Sequence, residues 1–310
     1  MFTAFAAAPE DDELFVIGTA LGEVKCFRHV VEANGTAAKT YLNELEDTAI
    51  WESYVTSFPI SFLLIHGVFV LVGDGHGAVV LLQLDTGLEI RRFQMEAAIV
   101  TGVWHDGVFV VADLVGNLIG VNTFETKWSC RTDILLQEQA ASGTYIASIA
   151  SIRLIDCEGQ LCSYVATSLG RNELILTLRG HVVARLPTPT SFTSIYSEST
   201  NDPVVLCGGK NGVVYKLVTE APSPDRPFTV KFEPVIETGF PVNRVTASNG
   251  RLGHWICSGS HSREVLEFDA KCNRTRHISL QAEPSDLMSA QGHIFVLEEA
   301  SIRILELIAV

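Results

Sequence analysis

Hydrophobic and polar positions along the chain fall into a unit that is clearest from Gly67 to Gly87, GVFVLVGDGHGAVVLLQLDTG. Val68, Phe69, Val70, Leu71 and Val72 make an apolar run rich in β-branched and aromatic types, which suit a pleated, buried surface. Asp74-Gly75-His76-Gly77 follows, a set of residues that tolerate the positive φ of a tight hairpin turn. Ala78 to Leu84 then returns as a second strand. Neither strand alternates cleanly between apolar and polar, so both faces are predicted to be buried, as in the middle strands of stacked sheets. A lone hairpin is marginal in water and requires neighbours on each face.

The unit recurs seven times. Its second strands are predicted at Leu14–Thr19, Val68–Gly73, Val108–Ala112, Leu161–Thr167, Val204–Gly208, Trp255–Gly259 and His293–Leu297. Most end in a small residue (Gly18, Gly73, Ala112, Gly208, Gly259), and each runs into a polar turn. Third strands follow, as at Glu23–Phe27, Leu118–Val121, Val213–Val218, Val265–Phe268 and Ile302–Leu307. First strands precede the hairpins across turns such as His105-Asp106-Gly107. Weaker fourth strands are read at Leu88–Phe93, Lys127–Arg131, Val182–Leu186 and Phe228–Phe232. Successive landmarks lie 39 to 55 residues apart, and the short intervals match the ~40–45 residues of a four-stranded propeller blade. The long intervals carry insertions. Helical spacing of Leu42, Leu45, Ala49 and Ile50 predicts a helix within Asn34–Phe58, and a second short one is predicted within Thr132–Gly143. Glu220–Pro227 reads as a Pro-rich loop. With no shift in composition along the chain, residues 1–310 are read as a single domain: all-β, a seven-bladed β-propeller with short helical insertions.

Blades one and five resemble WD40 repeats. Phe2 to Arg28 runs from an apolar strand through the acidic turn PEDDE to LFVIGTALGEVKCF, and Gly180-His181 precedes VVLCGGKNGVVYKL. The dipeptide that names that family is replaced by Phe27-Arg28, Leu217-Val218 and Phe268-Asp269. Two other blades, with LQLDTG and VNTFETKW, are similar to quinoprotein-like repeats, Trp128 standing near the tryptophan position. The resemblance covers nearly the whole chain and implies a WD40-like propeller. Since the polar network of such blades is mostly missing, apolar packing is expected to hold blade to blade.

Charge and composition narrow the function. Hydrophobic residues make up 47% and charged residues 19%, with a net charge of -14. That sign argues against nucleic acid or an anionic membrane as main partner, since both reward basic patches. No segment reaches the ~18 apolar residues of a membrane-spanning helix; Ile60–Gly73 comes nearest. The N-terminus lacks the basic start of a secretory signal. Seven cysteines without CxxC spacing fit reduced thiols in a cytoplasmic setting, with Cys207 and Cys257 as packing residues inside apolar strands. Glu10 to Glu13 lack the alternation of a calcium loop. Nine histidines show no HExxH or paired-ligand spacing, and His66 and His105 stand at equivalent hairpin turns. No GxSxG, Walker A or dinucleotide fingerprint occurs. Neither cofactor nor metal is expected. Arg91-Arg92 reads as an ordinary fourth-strand pair.

These observations lead to a non-catalytic protein-interaction scaffold or complex subunit. Turns between second and third strands are expected to share one face with the connections between blades. This singles out Asp74, His76, Asp113, Arg171, Lys210, His261 and Arg263 as candidate partner-binding residues. The last repeat runs out after its third strand, so Ile302–Leu307 is expected to form an open edge available to a partner strand. The competing reading is an enzyme or small-ligand-binding propeller with a site at the central channel, marked by converging ionisable residues of perturbed pKa.

Overall fold

Every strand predicted from the apolar runs is present in the computed structural model, and each closes onto the next as an antiparallel meander. The structure describes residues 1–8, 14–28, 49–122, 126–131, 145–155, 160–197, 204–219, 230–248, 253–290, 293–298 and 301–306. The first sheet contains β1 (Phe2–Ala7), β2 (Leu14–Thr19), β3 (Glu23–Arg28) and β4 (Ala49–Tyr54); the second β5 (Ile60–His66), β6 (Phe69–Asp74), β7 (Ala78–Gln83) and β8 (Glu89–Gln94). The third contains β9 (Ile99–His105), β10 (Val108–Asp113), β11 (Asn117–Val121) and β12 (Thr126–Arg131); the fourth β13 (Ile146–Ile155), β14 (Leu161–Leu169), β15 (Glu173–Leu178) and β16 (His181–Pro187). The fifth contains β17 (Phe192–Ser197), β18 (Val205–Gly209), β19 (Val213–Thr219) and β20 (Val230–Glu237); the sixth β21 (Val242–Ala247), β22 (Trp255–Gly259), β23 (Glu264–Phe268) and β24 (Arg274–Ser279). The last sheet has three strands, β25 (Pro284–Ala290), β26 (His293–Glu298) and β27 (Ser301–Glu306).

Two expectations are corrected. Among the described residues six sheets are complete four-stranded blades and the seventh repeat supplies three strands, as its sequence predicted, so the expected seven-bladed propeller is corrected to six blades. No helix occurs among the described residues. Ala49 and Ile50, read as part of a helix, begin β4, which pairs with β3 from Glu23 opposite Tyr54 to Phe27 opposite Ala49. The cause is the edge of β3, whose unpaired backbone groups a helix would leave unsatisfied. The remainder of that insertion, the PEDDE turn, the 132–143 insertion and the Pro-rich loop lie outside the described residues.

By its internal contacts the chain forms two units, residues 1–99 with 246–310 and residues 100–245. Within each, successive sheets lock together at a recurrent point, which accounts for the small residue ending each second strand. A Cβ on Gly18 would lie 2.4 Å from the Ile60 side chain, one on Gly73 2.5 Å from Ile99, and one on Gly208 2.6 Å from Val242. In all three, a β-branched residue opening the next sheet occupies the space a side chain would need. Ala112 is the variant of this position, fully buried in one cluster with Ile146.

A second recurrent feature sits opposite. First strands carry a register irregularity between Phe2 and Ala4, Ile60 and Phe62, Phe192 and Ser194, and Pro284 and Asp286. In these four the residue inside the irregularity has a hydroxyl, whereas the same irregularity of β13, between Ile146 and Ser148, holds Ala147. Thr3 donates to the Gly18 carbonyl, Ser61 to Ile99, Thr193 to Val242 and Ser285 to Leu297. The bulge frees a side chain to reach carbonyls that the ladder leaves unfilled. Thr3 and Ser285 bond within their own sheets, but Ser61 and Thr193 reach the next one, so apolar packing shares the inter-sheet seam with hydroxyl bridges there, contrary to the expectation of an apolar seam alone.

Apolar clusters span neighbouring sheets within each unit. In the first, Phe5, Phe15 and Phe27 of the first sheet gather with Phe295 of the last, the Phe15–Phe295 centroids 6.3 Å apart. The first and last repeats are thus joined by face packing, while β1 pairs with β2. Trp51 of β4 covers Gly87 of the next sheet and donates from Nε1 to the Leu84 carbonyl at 2.6 Å. In the second unit Trp128 of β12 packs against Gly180 of its neighbour in the equivalent way. The residue flagged by the quinoprotein-like resemblance is therefore a seam residue, and Trp51 is its counterpart.

Candidate functional site

Turns between second and third strands share an end with the inter-sheet connections, as expected. The backbone binds them directly: Val55 N–H to Gly22, Gly75 to Pro59, Met95 to Gly77, Thr188 to Asn172, Lys210 to Ser191 and Leu280 to Arg263. Of the seven residues singled out there, two are not on a surface at all. Asp74 is 1% exposed and Asp113 0%. Asp74 accepts from the N–H groups of His76 and Ala78, each at 2.8 Å, and from the Thr56 hydroxyl at 2.6 Å. Asp113 accepts from the N–H groups of Val115 and Asn117 and from the Asn117 amide at 2.7 Å. Both carboxylates are consumed in holding their own turns, which removes them from any docking surface.

The remaining five are exposed to differing degrees and most already have partners. Arg171 pairs with Glu173 at 2.5 Å, and Arg185 shares the same carboxylate oxygen. Lys210 donates to the Tyr145 hydroxyl at 2.6 Å and lies over its ring. His261, with φ 58°, receives Glu283 on both its N–H and its ring. Arg263 is exposed. His76 is exposed and stacks on Phe58 with centroids 4.3 Å apart.

That stack belongs to an apolar patch on the first unit that charge-based reading overlooked. Leu21 and Tyr54 are each 68% exposed and Phe58 is 42% exposed. Their backbones lie close together. Val55 and Thr56 both bond the Gly22 carbonyl next to Leu21, Tyr54 Oη bonds Ser57 Oγ at 3.2 Å, and Phe58 reaches His76. The signal was an apolar residue at the tip of the otherwise polar turn TALGE.

A second site lies within the other unit. First strands β9, β13 and β17 line a cavity of about 560 Å³ together with the Asp106-Gly107 turn and Ser163. Because side chains alternate along a strand, Ser151 and Arg153 fall on one side of β13, while Ile152 and Leu154 join the core. His105, placed by sequence at an ordinary turn, is 4% exposed, and its Nδ1 lies 2.9 Å from Ser151 Oγ. Its Nε2 lies 3.6 Å from Asp106. Burial pushes its pKa below the ordinary value, against an opposing pull from Asp106. With the His105 proton on Nε2, facing Asp106, Nδ1 accepts from the Ser151 hydroxyl; in the other tautomer Nδ1 donates to it. Arg153 pairs with no carboxylate among the described residues.

Elsewhere the chemistry is quiet. Cys207 and Cys257 are buried, and burial raises both thiols, Cys257 to about 12, so neither offers a thiolate. Among the described residues no group of three or more His, Cys, Asp or Glu could hold a metal ion. No helix among them is long and apolar enough to cross a membrane.

Sheet topology, seam packing and hairpin ends define a WD40-like β-propeller. The chain is similar in structure to the β-propeller domain of Myceliophteria thermophila Cps50 (Swd1), with TM-score 0.72 over 98% of this chain and 96% of that one, at 13% identity. At that identity the likeness concerns the fold. No protein-family model and no curated protein matches the sequence.

Proposed function

We propose that the protein is a non-catalytic scaffold or complex subunit that binds other proteins through its hairpin-end loops. The observation that carries this reading is the patch of Leu21, Tyr54, Phe58 and His76. Large apolar and aromatic side chains held in solvent on a rigid frame mark interaction surfaces. The WD40-like fold supports it by supplying loops on a stiff scaffold, although fold alone assigns no activity. His76, Arg171, Lys210, His261 and Arg263 remain as polar contacts, and Asp74 and Asp113 are their turn supports. The free edge of β27 is a second docking element, supported by the absence of a fourth strand in that sheet among the described residues. Net charge of -14 disfavours direct nucleic-acid binding. A cytoplasmic setting goes with the odd cysteine count.

The test is affinity capture from the native source with wild type and a Leu21→Glu, Phe58→Asp double variant. Anchor residues at interfaces contribute about 2 kcal/mol or more each, so capture of specific partners should fall at least ~10-fold. Thermal stability should barely move, because exposed substitutions cost within about 0.5 kcal/mol. Undiminished capture by the double variant rules out this patch as the docking site.

A further inference from the structure

We infer that the cavity bounded by β9, β13 and β17 is a binding site for a small organic monocarboxylate held by Arg153. The argument starts from charge. Among the lining residues the charged groups are Arg153 and Asp106. Burial disfavours charge on His105, whose two nitrogens already face Ser151 and Asp106. Arg153 stands on the same side of β13 as Ser151, two residues on, with no carboxylate partner among the described residues. In a chain with 36 acidic against 22 basic residues, a guanidinium left unpaired on a cavity wall is conspicuous.

Guanidinium presents two parallel N–H donors that match the planar fork of a carboxylate. One cation beside one anion suits a ligand with a single negative charge; a phosphate dianion would face Asp106 with too little compensation. With the His105 proton on Nε2, the Ser151 hydroxyl donates to Nδ1 and keeps lone pairs for a ligand donor. Trp104 and Tyr196 contribute aromatic surface to the same wall, Trp104 packed edge-on to Phe109 at 4.8 Å. They suit a planar or alkyl body. The volume of about 560 Å³ lies within the range of ordinary ligand sites, roughly 300–1,000 Å³. The inference is of binding alone. It is independent of the docking patch, which lies on the other unit.

Benzoate is the probe, followed by calorimetry and by the Trp104 indole resonance, with inorganic phosphate and acetate in parallel. Benzoate should bind, acetate more weakly for want of a body, and phosphate least. Arg153→Gln should weaken benzoate at least tenfold, and Asp106→Asn should tighten it severalfold by removing the opposing charge. Lowering the pH through the His105 titration should also tighten it. The polar and titratable groups that line the cavity with His105 are Asp106 on its own turn, Ser151 and Arg153 from β13, Ser163 from β14, and Tyr196 and Ser197 from β17; of these Ser151 and Asp106 face its ring. Binding that is equal in wild type and Arg153→Gln, or phosphate binding as tight as benzoate, would overturn the assignment. So would a Trp104 resonance that stays unmoved at saturating benzoate. Arg153 is exposed, so Arg153→Gln is expected to fold, and Asp106→Asn provides an independent reading.

Discussion

At the scale of single residues, what a side chain does here depends on what its backbone neighbours lack. Asp74 and Asp113 look like surface charges in a turn sequence, yet each is drawn inward by unfilled N–H groups of the same turn. Asp269 repeats the arrangement on an exposed turn: hydrogen bonds from the Asn273 side chain and backbone hold its carboxyl below the usual range. His105 shows the opposite case, a titratable group whose burial disfavours charge. Above about pH 6.5 it is neutral in folded and unfolded chains alike and contributes no pH dependence. As pH falls from there to its lowered folded pKa, the unfolded chain binds a proton that the folded one refuses, so stability declines; below that pKa the penalty is constant. Chemical denaturation across pH 4.5–8 should therefore show wild type losing more stability on acidification than His105→Gln. Parallel curves would mean that His105 charges freely in the fold.

Sheets and their seams are the next scale, and glycine carries the argument there. Hydrophobic periodicity alone marks Gly73 as a strand end, whereas packing makes it the floor beneath Ile99. Gly73→Ala places a methyl 2.5 Å from Ile99 Cγ2, and overpacking of this kind costs about 1–3 kcal/mol. Ile99→Ala in the same chain removes the obstructing branches, so the double variant should lose less than the two single costs combined. Denaturant melts of the four chains measure this directly, and strict additivity would refute the contact. Four fourth strands left a weak signal, β8 among them although it is exposed at five of six positions, whereas β4 and β24 escaped sequence reading because they alternate weakly on an exposed outer edge. Their register is imposed by the third strand, which no local pattern in Ala49–Tyr54 or Arg274–Ser279 announces.

For the molecule as a whole, the repeat that breaks the pattern is the last. Amides of β7, flanked by β6 and β8, are paired along both edges, while among the described residues β27 pairs only with β26. Backbone hydrogen exchange in the isolated chain should be faster over residues 301–306 than over 78–83, and should slow when a partner strand is added. Equal protection in the isolated chain would show the edge to be covered already. The sequence by itself determined the all-β class, the repeat and most strand positions, because apolar runs and turn residues act over a few positions. Tertiary structure alone decided that β9, β13 and β17 line one cavity and that His105, Ser151 and Arg153 meet there. Those outcomes depend on contacts between residues some 40 or more positions apart, where pleat direction and the space left by a neighbouring sheet set each side chain's surroundings.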